Sequence, residues 1–132
     1  MNIHNKNIVI TGAANGIGYA LAKRIVQESP KSISLIDISN SVNEVASSLN
    51  AESYVVDVSN EDDFQSVLNS IIDKNNSIDL FCSNAGIQQF GTLETSSTDW
   101  QKNWEVNVMS HIHAAKVLIP QMQKQGSGYI ML

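Results

Sequence analysis

The segment Asn7–Ala22, NIVITGAANGIGYALA, decides the fold. Asn7–Thr11 is a short apolar run that predicts a strand. Ile17, Leu21 and Ile25, spaced four apart, predict the apolar stripe of a helix. Between them lies a turn holding Gly12, Gly16 and Gly18. A strand that passes through a glycine-rich turn into a helix can hold a diphosphate. Glycine lets the backbone turn tightly and approach a ligand, and the free N–H groups and positive dipole end of the helix stabilise the anion. The spacing is GxxxGxG, not the GxGxxG fingerprint of dinucleotide sites, so the turn alone is weak evidence, with a mere tight loop as its competing reading. Asp37 strengthens the reading. It ends the next apolar run, Ile33–Asp37, about 20 residues beyond the last glycine, where a carboxylate can accept hydrogen bonds from adenosine ribose hydroxyls. Its competing reading is a helix cap or turn residue.

Working outward, short apolar runs alternate with helical periods along the whole chain, with no internal repeat or low-complexity linker. Val42, Val45, Ala46 and Leu49 predict a second helix, and Tyr54–Val56, ending in Asp57, a third strand. Ser59 or Asn60 caps a third helix with the stripe Phe64, Val67, Leu68, Ile71 and Ile72, and Ile78–Cys82 reads as strand four. From Thr98 to Gln125 the pattern predicts one long helix stepping through Trp104, Val108, Ile112, Ala115, Ile119 and Met122. Tyr129–Leu132 opens a fifth strand. Strands joined by helices imply a parallel sheet, so the fold class is α/β: a Rossmann-type, doubly wound, three-layer αβα domain over residues 1–132, cut after strand five.

Four ordered motifs, TGAANGIG at 11–18, Asp57-Val58, Ser83-Asn84-Ala85-Gly86 and Asn107 within Trp104-Glu105-Val106-Asn107-Val108, resemble the short-chain dehydrogenase/reductase family. The resemblance covers the chain and implies an oxidoreductase that moves a hydride between a nicotinamide and an alcohol or carbonyl substrate. It assigns Gly12, Gly16 and Gly18, with Asn15 and Ile17 between them, to the pyrophosphate turn. Asp37 falls to the adenosine ribose, Asp57 and Val58 to the adenine pocket, and Asn84, Ala85 and Gly86 to the nicotinamide ribose wall. Asn107 matches the family's catalytic Asn, which shapes the long helix and holds a water. Ser83 departs from the family, many members of which carry a second Asn there. The family's catalytic Ser, Tyr and Lys follow strand five, beyond Leu132, so the 132-residue polypeptide is expected to be a cofactor-binding fragment without turnover. The alternative is a non-catalytic nucleotide-binding or interaction module. Tyr19 and Lys23 have the Tyr-x-x-x-Lys spacing but sit at the start of the first helix, beside the phosphates.

Asp37 would repel a 2′-phosphate, and neither Ala13-Ala14-Asn15 nor Ile38-Ser39 offers a cation to bind one, so NAD is the expected cofactor. Eight Lys and Arg against thirteen Asp and Glu give a net charge of -5, which lacks the basic footprint of nucleic-acid or anionic-membrane binding. No apolar run nears the ~18 residues of a membrane span. With the single Cys82 and no signal-like start, the expected location is cytoplasmic. His111 and His113, two apart on a helix, face different ways, and no metal site is expected. Cys82, ending an apolar strand, reads as a packed thiol, and Trp100 and Trp104 share a helix face as core or interface anchors. The long helix carries more apolar surface than one sheet face needs, and relatives of the resembled family pair through it, so a homo-oligomer is expected.

Overall fold

Every residue of β1 (Asn7–Thr11) is buried. Its side chains divide between two separate clusters: Ile8 and Ile10 enter one, Val9 the other. A strand apolar on both faces requires a cover on each side. The computed structural model, which describes residues 2–88 and 91–132, supplies both covers. On one face α1 (Gly16–Val26) and α2 (Val42–Leu49) bring Ala22, Ile25, Val42 and Ala46 onto Ile8, Ile10, Ile33, Leu35 and Cys82. On the other, α3 (Glu61–Asn75) and α5 (Ser110–Gln125) bring Phe64, Leu68, Ile71, Ala114, Leu118 and Met122 onto Val9, Ile36 and Phe81. The result is the expected three-layer α/β Rossmann-type domain.

The sheet is parallel throughout, in the order β3-β2-β1-β4-β5, with β2 at Ser32–Asp37, β3 at Glu52–Val55, β4 at Leu80–Cys82 and β5 at Tyr129–Met131. Ile8 lies opposite Ile33 on one side and Leu80 on the other. The strand order therefore grows in one direction from β1 to β3 and in the other from β4 to β5. A crevice opens at the carboxyl ends of the strands where the direction reverses, which in open α/β sheets is where ligands bind.

Two helical expectations need correction. Ile17 is not core: it is 78% exposed, and α1 instead buries Gly18, Ala22 and Ile25. The contact face is set by small residues that let the helix approach the sheet, which a count of large apolar residues misses. The long helix from Thr98 to Gln125 is three pieces: α4 (Ser97–Trp104), a π-helical turn (Glu105–Met109) and α5. Of the anticipated stripe, Trp104, Ile112 and Ile119 are exposed and only Met122 is buried. The buried set is Val106, Ser110, His113, Ala114, Leu118 and Met122. The π turn holds an extra residue, which shifts the helical phase, and the outer face is itself apolar.

α3 and α5 are clasped by Glu61, whose carboxylate accepts from Lys116 Nζ at 2.7 Å and stands 3.4 Å from His113 Nδ1. The hydrogen bond from Lys116 is the main reason that the Glu61 carboxyl is held below its ordinary range, with the charges of Lys116 and His113 and a bond from Gln65 adding to it against some desolvation. A carboxylate whose folded pKa is depressed contributes stability above its unfolded pKa and loses it as pH falls through the folded value. We expect Lys116→Met to lower the urea midpoint near neutral pH, and that difference to fade as pH falls through the lowered range in which the Glu61 carboxylate takes up its proton. Urea melts from neutral to acid pH check this; a difference independent of pH would refute it.

Candidate active site

The crevice at the strand ends is a pocket of about 460 Å³ lined by Gly12, Asn15, Ile17, Asp37, Ile38, Val56, Asp57, Val58, Asn84, Ala85, Gly86, Ile87, Lys102 and Val106. Nine of these are positions that the sequence singles out for a cofactor, gathered from four separate stretches of the chain. Of the remaining sequence candidates, Gly16, Gly18 and Asn107 are not in the lining and shape the walls instead.

The floor is the turn after β1. Gly12 and Gly16 have φ of +67° and +55°, the left-handed region open to glycine. Gly18 is needed for closeness: a Cβ there would stand 2.1 Å from the Gly12 carbonyl oxygen. A Cβ on Gly12 would meet Ala85 Cα at 2.9 Å, so the turn and the loop after β4 lie in backbone contact. Asn15 precedes the first residue of α1, extended at φ -155°, and its side chain makes no capping bond. The helix start is thus left open toward the pocket, where Asn15 and the exposed Ile17 form part of the lining.

Thr11, which sequence reasoning passed over, ties the turn to the loop after β4. Its hydroxyl oxygen accepts from the backbone N–H of both Asn84 and Ala85, each at 3.0 Å. Asn84 returns the contact by donating its Nδ2 to the carbonyls of Thr11 at 3.0 Å and Gly12 at 3.3 Å. Ser83, one residue earlier, bonds His111 Nδ1 on α5 at 2.6 Å. Asn107, in the π turn, holds the same loop further along: its Oδ1 accepts from Ile87 N and its Nδ2 donates to Ile87 O, both at 2.9 Å. A side-chain amide matches a backbone peptide group donor for acceptor. π turns recur at functional sites because they displace a residue from regular helical packing.

At the far end, the Asp37 carboxylate accepts from Ala14 N through one oxygen and Ser39 N through the other, each at 2.9 Å. These bonds fix its direction and leave both oxygens with further acceptor capacity. Asp57 uses a single oxygen, Oδ1, for Ser59 N and Ser59 Oγ. Val58 behind it is buried with Val106. Ile38, 67% exposed directly after Asp37, presents an apolar face in the same lining; its signal in the sequence was an isoleucine just past a strand end. Lys102, on α4, was also unanticipated, since its place depends on how α4 packs.

A sequence model described as short chain dehydrogenase matches residues 6–132. The chain belongs to the short-chain dehydrogenase family. Similar curated short-chain dehydrogenase relatives include a 3-oxoacyl-[acyl-carrier-protein] reductase of Buchnera aphidicola, 31% identical over 99% of this chain and 55% of that protein. Another is a meso-2,3-butanediol dehydrogenase of Serratia marcescens, 33% identical over 94% of this chain and 51% of that one. Among solved structures, an NAD+-bound xylitol dehydrogenase superposes with a TM-score of 0.90 at 29% identity, covering 98% of this chain and 53% of its own. The chain spans about half the length of the curated relatives it matches.

Other residues singled out in the sequence lie away from the pocket lining. Tyr19 and Lys23 face each other along α1, with the ammonium 5.4 Å from the ring centroid. Cys82 is fully buried, and burial pushes its thiol up to about 11. His111 and His113 have different partners, Ser83 and Glu61. Among the described residues no group of three or more His, Cys, Asp or Glu is placed to hold a metal, and no helix is long and apolar enough to cross a membrane.

Proposed function

We propose that this chain binds NAD in the crevice and forms the cofactor half of an oxidoreductase that acts on an alcohol or carbonyl substrate. The observation that carries the reading is Asp37: a carboxylate oriented by two backbone N–H groups at the end of β2, on the same pocket as the glycine turn. The pocket suits the group, because the cradle at Gly12 and Gly18 has no room for a Cβ and α1 opens toward it without a side-chain cap. When bound, the nicotinamide supplies the hydride acceptor or donor. Gly12, Asn15, Gly16, Ile17 and Gly18 would surround the pyrophosphate, with backbone N–H groups at the helix start meeting its charge. Asp37 would accept from the ribose hydroxyls, while Asp57 Oδ2 and the Val58 side chain would hold the adenine. Asn84, Ala85 and Gly86 would line the nicotinamide ribose. Asn107 positions that wall through Ile87. The proton step of alcohol oxidation needs an acid/base such as the family's Tyr, with its Lys and Ser, which this reading assigns to chain beyond Leu132.

The test is competitive titration with NAD and NADP. NAD is expected to bind more tightly, because a 2′-phosphate would face the Asp37 carboxylate. Asp37→Ala should weaken NAD by about tenfold and narrow the preference, as loss of a charged hydrogen-bond acceptor does. Equal or tighter NADP binding by the wild type would overturn the cofactor assignment.

The same reading includes self-association in the cytoplasm. Trp100 and Trp104, 62% and 54% exposed, continue into Ile112 and Ile119 on the outer side of α4 and α5, more apolar surface than a solitary helix face ordinarily shows. Sedimentation over a range of concentration should show a dimer or larger species, and a monomer throughout would refute it.

A further inference from the structure

The pocket lining sets two carboxylates, Asp37 and Asp57, against one cation, Lys102. Among the described residues neither carboxylate has an ion-pair partner, and the Lys102 ammonium has neither an ion pair nor a hydrogen bond. Lys102 precedes Val106 by four residues on a continuous helical path, so the two share a face. Val106 is buried with Val58 behind the pocket, which puts Lys102 one turn further out, at the open rim. The whole chain carries a net charge of -5. A phosphorylated ligand therefore approaches an acidic protein whose pocket is itself acidic, and the glycine turn and helix start offer only partial charges against that field.

We propose that Lys102 is a specificity-determining residue that makes the pocket select adenosine 5′-phosphates over the neutral nucleoside, by placing a full positive charge at the rim. The inference rests on the nucleotide-binding reading above. It commits to the 5′-phosphates and not to a 2′-phosphate, since the Asp37 carboxylate opposes an anion at the ribose. The action is through charge, so it should be screened by salt and reproduced by arginine.

The experiment is calorimetric titration of the chain with 5′-ADP, 2′-AMP and adenosine, the last by competition, for wild type, Lys102→Met and Lys102→Arg. Lys102→Met is expected to weaken 5′-ADP by about threefold to tenfold at low salt, with most of the loss gone at about 0.5 M salt. Adenosine affinity should not change, and Lys102→Arg should keep the 5′-ADP affinity of the wild type. The unfolding midpoint should stay constant, because an exposed lysine without partners holds nothing together. Equal losses for 5′-ADP and adenosine would mean that Lys102 packs on the base, and would overturn the proposal. So would an unchanged 5′-ADP affinity, an arginine variant as weak as the methionine, or a loss confined to 2′-AMP. Wild-type chain that binds neither 5′-ADP nor NAD would sink the nucleotide reading itself, and this inference with it. Binding that is indifferent to Lys102 would sink the inference alone.

Discussion

Gly18→Ala should remove nucleotide binding and destabilise the fold by roughly 3 kcal/mol or more, although it adds one methyl group in a helix. Alanine is the better helix former by about 1 kcal/mol, so propensity alone predicts the opposite sign. Sterics decide. The new Cβ would stand 2.1 Å from the Gly12 carbonyl oxygen and 2.7 Å from Asn84 Nδ2. The first is backbone and the second is held by the carbonyls of Thr11 and Gly12, so neither can swing away cheaply. Either α1 moves off the sheet or the turn opens, and both dismantle the turn proposed to hold the pyrophosphate. Urea unfolding together with 5′-ADP titration checks this. A Gly18→Ala chain with wild-type stability and affinity would show that the close approach is not required.

Phe81→Ala should destabilise by about 3–5 kcal/mol, a large share of the 5–15 kcal/mol that holds an ordinary domain together. Phe81 is fully buried in the middle of β4, opposite Val9 and Ile130, and its ring lies 6.4 Å from that of Phe64 on α3. The residues around it come from β1, α3 and α5, each element held by several further buried side chains, so the space left behind cannot collapse easily. Phe81→Leu keeps most of the volume and should lose much less. Denaturant midpoints of the two variants are the measurement, and a loss under about 1 kcal/mol for alanine would refute the packing argument.

How far the sequence carries toward this structure depends on whether the information is local. β1, α2 and α3 are legible because a strand buried on both faces is a continuous apolar run, and because α2 and α3 keep a regular stripe with Asn60 capping α3 by accepting from Asp63 N. The glycine turn and Asp37 are legible because each bears its chemistry at a strand end. Thr11 was missed because a threonine ending a strand is unremarkable until the loop after β4, more than seventy residues away, arrives to use its hydroxyl. Asn107 comes from family resemblance; no helical period singles out an Asn that pairs with both the N–H and the carbonyl of Ile87. Ile17 and the stripe from Trp104 to Ile119 mislead in two ways: Ile17 lines the pocket while small residues seat α1 on the sheet, and the extra residue of the π turn breaks the period that the stripe assumes, leaving Trp104, Ile112 and Ile119 on the outer surface.

The π turn at Glu105–Met109 makes the number of residues in this helix as consequential as their identity. In such a turn the N–H five residues on takes the place that the fourth has in an α-helix, so the extra residue is absorbed and the flanking segments keep their phase in space. A chain one residue shorter here can therefore run as uninterrupted α-helix, with α5 still seated through Ala114, Leu118 and Met122 and with Trp100 and Lys102 still on their own sides. What a single-codon deletion within the turn removes is the widened turn itself, and with it the place from which Asn107 reaches the backbone of Ile87. In aligning distant relatives, a gap at this point would mark a lost bulge, whereas a gap elsewhere in the helix would turn one half of it against the other.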